Sequence, residues 1–434
     1  MESLTESLPR AIPFDPNKRF ANMAAAKAAQ RLAADLFRRE MVLGLRNRRR
    51  SPPDAVAFAK AVEAILCNLV VLHLCGATRP LAVPRSSAAM WGEERYREAV
   101  FGKHFLDALR VMQHPNVGLI EEVAKGYRYA GSAGRLTTIR PRQDIAALLA
   151  IPDPDWSMLR REEDREVIIL KDAKMDGRAE AIAYEETPRT RAFRNRLRKI
   201  NGWLAKAPIF LLPGYSQFDN ADTLVDPTRR TLRRIFNNAD WGQGGRLYGG
   251  FWETMRRTER SHHLRIGSAA NPDGERIATV DYGQLFPRLA YARVGHAPPD
   301  GDLYGSFAGA SRKGVKVLLN ALLFTKGPLS TWPKDCRQHF PGRKFADVLA
   351  EIRAAYAPIV PLFGTGVGFA LMFLESEILM DVLGDLRRMD VVALPVHDAV
   401  LVAVTHADTA KAVMGRRLLE RLPEEFRASV TIGD

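Results

Sequence analysis

The sequence predicts an α+β chain of several domains, with an antiparallel sheet that carries two acids and mostly helical segments around it. Three observations lead there. The 434 residues are 46% hydrophobic, enough for more than one packed core. Two short β-branched runs that end or turn on an acid, 277–282 and 391–402, stand among long stretches of helical periodicity. The balance of 64 Lys and Arg against 50 Asp and Glu gives a formal charge of +14, a field that draws polyanions, nucleic acid ahead of anionic membrane.

Cys67, Cys75 and Cys336 make no CxxC pair and no disulfide framework, so a reducing, cytoplasmic setting is expected. The most apolar stretch, Val62 to Ala77, is interrupted by Glu63, Asn68 and His73. It reads as a buried helix too short to span a bilayer, and no membrane partner is expected. Residues 1–15 are acidic and proline-broken, unlike a signal peptide.

Along the chain, residues 16–50 read as a helix that ends in Arg46-Asn47-Arg48-Arg49-Arg50, a solvated helix end or a phosphate contact. A second helix follows the prolines, roughly Asp54 to Leu74. Residues 93–150 give an amphipathic helix, a short strand, a basic hairpin from Gly126 to Arg140 and a helix from Pro141 to Ala150. That order is similar to a winged helix-turn-helix, whose wing lays arginines on a DNA backbone; a plain α+β packing module fits it too. Ile168 to Lys171 and Ala181 to Tyr184 could pair as strands. In the helix 187–204, Phe193, Leu197, Ile200 and Leu204 share one face and arginines surround it, as in a polymerase thumb or a charged surface helix. A further basic block spans Arg229 to Arg234. The expected divisions are 1–92, a basic helical region; 93–150, the winged module; 151–240, a thumb-like region; and 241–434, which holds the chemistry.

The chemistry rests on Asp281, which follows the strand run Ile277 to Val280, and on Asp398, at the tip of a hairpin formed by 391–402. An acid after one buried strand and an acid on an adjacent hairpin can converge at one sheet edge. Two such carboxylates repel unless divalent cations lie between them, which is the requirement of two-metal phosphoryl transfer.

These segments resemble family A (polymerase I type) DNA polymerases. Val-Asp-Tyr-Gly-Gln-Leu-Phe-Pro-Arg-Leu (280–289) is similar to that family's motif A, and Pro-Val-His-Asp-Ala-Val (395–400) to motif C. Between them Arg312, Lys316, Asn320 and Phe324, four apart on one helical face, are similar to motif B. Gly245-Arg246-Leu247 resembles the segment that contacts primer and template. The resemblance covers roughly 244–404 and implies a right-hand polymerase: a palm built on an antiparallel sheet, with mostly helical fingers and thumb.

It implies that Mg2+ or Mn2+ is held by Asp281, Asp398 and the backbone carbonyls of Val280 and Tyr282. It further implies that Arg312 and Lys316 grip the triphosphate, that Asn320, Phe324 and Phe286 bound the nucleotide, and that Arg246, His397 and Gln284 touch primer and template. The expected partners are a DNA primer–template and dNTPs, with RNA as an alternative.

Several positions depart from the family. Ala399 replaces the motif C Glu, as an acid is also lacking there in phage single-subunit RNA polymerases. Asn320 stands where Phe or Tyr is common, and Phe324 where Tyr is usual. Phe286 replaces a Glu; its ring would collide with a 2′-hydroxyl, as an aromatic at a similar offset does in reverse transcriptases, or it packs the core. Glu375 or Glu377 could add a third acid or lie on the surface. The residues before 240 show no proofreading-exonuclease pattern, which looks like a compact polymerase of a mobile element, phage or plasmid. Two alternatives stay open: an RNA-synthesising or primer-independent polymerase on the same fold, and a non-catalytic DNA-binding initiator or regulator.

Overall fold

The computed structural model describes residues 11–76, 79–91, 94–127, 134–162, 165–174, 179–212, 215, 218–219, 223–267, 271, 273–305, 307 and 310–433. They form a mixed set of helices and several sheets. The chain divides into two compact units, Met1–Glu166 with Ser216–Arg229, and Val167–Tyr215 with Arg230–Asp434.

The first unit is built on α2 (Pro52–Leu74), which packs against α1 (Met23–Val42) and α4 (Lys103–Gln113). The Asn22 side chain accepts the Ala25 N–H to start α1, and Ser51 accepts that of Asp54 to start α2. Ala25, Ala29, Ala33 and Leu36 form the buried stripe of α1. A four-stranded sheet runs in the order β1 (Ile12–Pro13), β3 (Leu81–Val83), β5 (Thr137–Pro141), β4 (Ile120–Ala124). β2 (Lys18–Phe20) pairs with β6 (Leu159–Arg161), and β9 (Phe218–Asp219) with β10 (Thr223–Leu224). Short helices α3 (Ser87–Trp91) and α5 (Ile145–Leu148) complete it.

This unit departs from the sequence reading at three places. Lys18–Phe20 is a strand and not the start of a helix. Its charges are drawn inside by partners distant in sequence, Lys18 Nζ lying 2.8 Å from Asp226 and Arg19 2.6 Å from Glu162. α2 has 23 residues and is long and apolar enough to cross a membrane by length and composition, although 67% of its most apolar window is buried inside the unit. The arginine run after α1 is no solvated end throughout. Arg50 is buried, donates to Glu40 at 2.5 and 3.0 Å and to Asp107 at 3.0 Å, and stacks 4.4 Å above the Phe58 ring. In the basic hairpin β5 lies between β3 and β4 and Arg140 and Arg142 both donate to Glu121, while residues 128–133 at its tip lie outside the described residues.

In the second unit, β7 (Ile168–Leu170), β11 (Arg233–Asn237) and β12 (Asp240–Tyr248) form one sheet in the order β12-β11-β7. Beyond β7, the stretch 181–184 contributes one bridge, Ala181 to Lys171. A larger sheet runs β15 (Leu394–Val396), β16 (Ala399–Ala403), β14 (Glu275–Gly283), β13 (Leu264–Ile266), β8 (Ile209–Leu211), with β17 (Ser429–Gly433) also on β14. Its helices are α6 (Pro188–Leu204), α7 (Arg257–His263), α8 (Leu285–Val294), α9 (Arg312–Phe324), α10 (Phe345–Ala355), α11 (Gly368–Arg388) and α12 (Ala407–Leu419). α11 lies along β12 and also touches α6, α8, α9 and α12.

Much of this unit's positive charge is spent internally. α6 is closed by a Thr187–Thr190 capping box, and Phe193 stacks on Phe236 with centroids 5.1 Å apart. Its Arg196 donates to Asp381 at 2.5 Å, and Arg189 to the Trp241 carbonyl at 3.1 Å. In the basic block, Arg230 donates to the carbonyls of Ala207 and Ile209, and Arg234 is fully buried. Arg234 binds the Gly245 carbonyl at 2.8 Å, Ser376 Oγ at 2.7 Å and Glu377 at 2.7 Å, tying β11, β12 and α11 together.

Removing Arg234 leaves Ser376 Oγ without its guanidinium donor and Glu377 with the longer Arg196 contact at 3.4 Å. Arg234→Met is expected to lower stability by about 3–5 kcal/mol, the cost of breaking a buried pair. The shift of the urea midpoint of the full chain measures it; a change below about 1 kcal/mol would show that the network contributes nothing net.

Candidate active site

Two adjoining pieces of the large sheet set the acids. β14 runs from Ile277 to Val280 in antiparallel register with β16, Val280 opposite Val400, so Asp281 follows beside the β15–β16 turn. That turn is tight: Val396 pairs with Ala399, leaving His397 and Asp398 between them. His397 adopts φ 58°, a left-handed conformation that a side chain enters at a cost, held here by the strands on both sides. Side chains alternate along β14. The Tyr282 hydroxyl donates to the Met414 carbonyl of α12 at 2.8 Å on one face, and Asp281 is presented on the other.

There Asp281 and Asp398 line one cavity of about 210 Å³. Asp281 Oδ1 is buried and makes no hydrogen bond. Burial, and next the neighbouring Asp398, push the Asp281 carboxyl up to about 6. Burial and then Arg246 lower the His397 pKa, which favours a neutral imidazole.

The opposite wall comes from α9, started by Ser311 accepting the Gly314 N–H. Lys316, Asn320 and Phe324 line the cavity. Asn320 Oδ1, like Asp281 Oδ1, is buried without a hydrogen bond. Arg312, at the same face's outer end, does not line it; its guanidinium is exposed and binds the Asp302 carboxylate at 2.7 and 3.2 Å. Phe286, on the first turn of α8, both packs and lines: it is 7% exposed and stacks on Phe324 at 5.5 Å.

Arg246 reaches the cavity from β12 because the strand bulges before it. Gly244 and Gly245 both have φ 81°, and a Cβ on Gly245 would stand 2.7 Å from Ser376 Oγ, so glycine is required there. Arg246 makes a two-pronged contact with Glu375, at 2.6 and 2.9 Å. Of the two glutamates considered as a third acid, Glu377 is bound to Arg234 and Arg196. Glu375 is the buried one, on Arg246. Burial pushes its carboxyl up to about 7 even so, and Asp398 and Asp281 push the same way.

Gln284 lies at the cavity edge with φ 58°, but its Oε1 is taken by the Leu303 N–H at 2.6 Å. That bond reveals what sequence reasoning missed. The turn 302–305 is pinned by Gln284, by Arg312 through Asp302, and by the Tyr356 hydroxyl on the Leu303 carbonyl. It carries Tyr304 into the cavity wall, with Arg312 and Lys316 5.2 and 5.9 Å above its ring. The one signal in the sequence is an Asp and an aromatic in a glycine-bounded turn shortly before the basic face of α9.

Among the described residues, no group of three or more His, Cys, Asp or Glu is placed to hold a metal ion. Two carboxylates with an unsatisfied buried oxygen still fit a hard divalent cation of the Mg2+ type, which takes one or two protein carboxylates and fills its shell with water and phosphate oxygens.

The chain matches no family profile and no curated protein. Among solved structures it matches the "POL domain of Pol1 from M. smegmatis complex with DNA primer-template and dNTP" at 12% identity, over 56% of this chain and 51% of that one, with a TM-score of 0.28. The matched region is about half of that chain's length. At that score the likeness does not establish a shared fold, and the chemistry of the cavity stands on its own residues.

A carboxyl raised to about 6 keeps its proton below that pH, so a divalent ion must displace it. The Asp281 proton is therefore expected to lower apparent Mn2+ affinity by about tenfold per pH unit below about 6. Mn2+ titration from pH 5 to 8 checks this, and Asp281→Asn should remove the inflection.

Proposed function

We propose that the second unit carries a template-directed DNA polymerase centre, which extends a 3′ end with dNTPs. The observation that carries the reading is Asp281: a half-buried acid whose Oδ1 is buried and unsatisfied, beside Asp398, facing Lys316 across a single cavity.

Asp281 and Asp398, with the carbonyls of Val280 and Tyr282, would hold Mg2+ or Mn2+, which supplies charge neutralisation and a lowered pKa for the attacking hydroxyl. Lys316 faces the acids and meets the negative charge of a triphosphate tail, with Arg312 at the outer end of the same face. Asn320 offers a free carbonyl to a donor on the nucleotide. Phe286 and Phe324 close the apolar side, where a ring against C2′ leaves no room for a hydroxyl. The neutral His397 can accept or donate a hydrogen bond at the primer terminus. An origin in a mobile element, phage or plasmid is part of this proposal.

Primer extension tests it. Asp281→Asn and Asp398→Asn are each expected to reduce extension by about 10³-fold or more while primer–template affinity stays within about threefold. Wild-type rates in either variant would end the reading. Phe286→Gly should raise ribonucleotide use relative to deoxynucleotide, measured as the ratio of kcat/KM values; an unchanged ratio would make Phe286 a core residue and nothing more.

A further inference from the structure

Glu375 is a costly residue where it stands. It is 1% exposed, and its electrostatic neighbours include both Asp281 and Asp398. Like charges in a low-dielectric interior repel strongly, so three acids in one place need a reason. Direct ligation of an ion is one candidate. The structure points elsewhere, because both Glu375 oxygens are occupied by Arg246, Nε at 2.6 Å and the terminal nitrogen at 2.9 Å.

Arg246 is the hazard in this cavity. Its guanidinium lines the same space as the two aspartates and lies within reach of the field of Asp398. A guanidinium facing unpaired carboxylates forms a charge-assisted pair with one of them unless a better partner is present, and would then occupy the oxygens a cation needs. Here it does not: Asp281 Oδ1 makes no hydrogen bond.

The partner that keeps it away is fixed by its neighbour on α11. Ser376 Oγ accepts from the buried Arg234 at 2.7 Å and donates to the Phe373 carbonyl at 2.8 Å, which leaves Glu375 aimed at the residue after the β12 bulge. We infer that Glu375 is a positioning residue that holds the Arg246 guanidinium off Asp281 and Asp398 and so keeps their oxygens open to a divalent ion. The inference rests on the polymerase reading of the centre.

Charge gives the sign of the effect. Asp281, Asp398 and Glu375 against Arg246 and Lys316 leave the centre one unit negative. Glu375→Gln makes it neutral and frees Arg246 to bind an aspartate. Adding Arg246→Gln restores both the single negative charge and the open oxygens. If Glu375 were itself a ligand, the second change would restore the charge but not the lost ligand, and the double variant would stay well below the wild type.

The test is Mn2+ binding to the full chain without DNA or nucleotide, followed by the electron paramagnetic resonance of the free ion at pH 7.5. Glu375→Gln is expected to weaken binding about tenfold, and the Glu375→Gln/Arg246→Gln double variant to return to within about threefold of the wild type. Binding by Glu375→Gln within about twofold of the wild type, or a double variant as weak as the single one, would overturn the inference. If Glu375→Gln alone does not fold, Glu375→Asp, which keeps the charge but withdraws it by a methylene, takes its place with the same order expected. The polymerase reading fails differently: wild-type chain that binds no Mn2+, or Asp281→Asn that binds it as well as wild type.

Discussion

Two carboxylates that water cannot fully reach are the constraint around which the second unit is arranged. Position 281 lies on the half-buried face of β14, where a carboxylate oxygen cut off from water and unsatisfied costs roughly 1–3 kcal/mol, and more when charged. The chain carries Asp281 there and sets a second acid beside it. The surrounding structure holds that unfavourable arrangement in place: a hairpin whose turn residue is in the left-handed region, a β14 flanked by β16 and β17, and an α12 that takes the Tyr282 hydroxyl from behind. A site that is strained and electrostatically unsaturated without a ligand is one whose free energy falls when a cation arrives.

Arginines do the structural work that the second unit's sheets need around this centre. Arg234 runs through the interior with its guanidinium against Phe193, Phe236 and Phe373, at 5.0, 5.0 and 5.6 Å. Its bond to the Gly245 carbonyl fixes the bulge, and the bulge fixes the direction in which Arg246 leaves the strand. Burial lowers the Arg234 pKa, to about 10, which still leaves it protonated at neutral pH. The guanidinium suits this because it can serve a carbonyl, a hydroxyl and a carboxylate at once in one plane.

The centre was more legible in the sequence than its surroundings were. A β-branched run ending in Asp281 and a hairpin bending at His397-Asp398 carry period-2 signals that local physics enforces, and the 312–324 helix carries a four-residue period. What local patterning does not encode is the partner. Nothing near Lys18 announces Asp226, nothing near Arg50 announces Asp107, and the four arginines of 229–234 look alike although Arg234 is an interior residue and Arg230 a clamp on two carbonyls. Tyr304 escaped for the same reason: its place depends on Gln284, Asp302 and Tyr356, which meet only in the folded chain.

The pairing of Arg312 with Asp302 bears on what the mouth of the cavity admits. A guanidinium already satisfied on two prongs by a carboxylate gives way only to an anion of greater charge density, and on an exposed surface the exchange is nearly isoenergetic for a single negative charge. If the second unit takes a nucleotide as proposed, a chain of phosphates would have more to gain by displacing Asp302 than a single phosphate, so this pair would weigh the charge of an arriving ligand at the outer end of the α9 face.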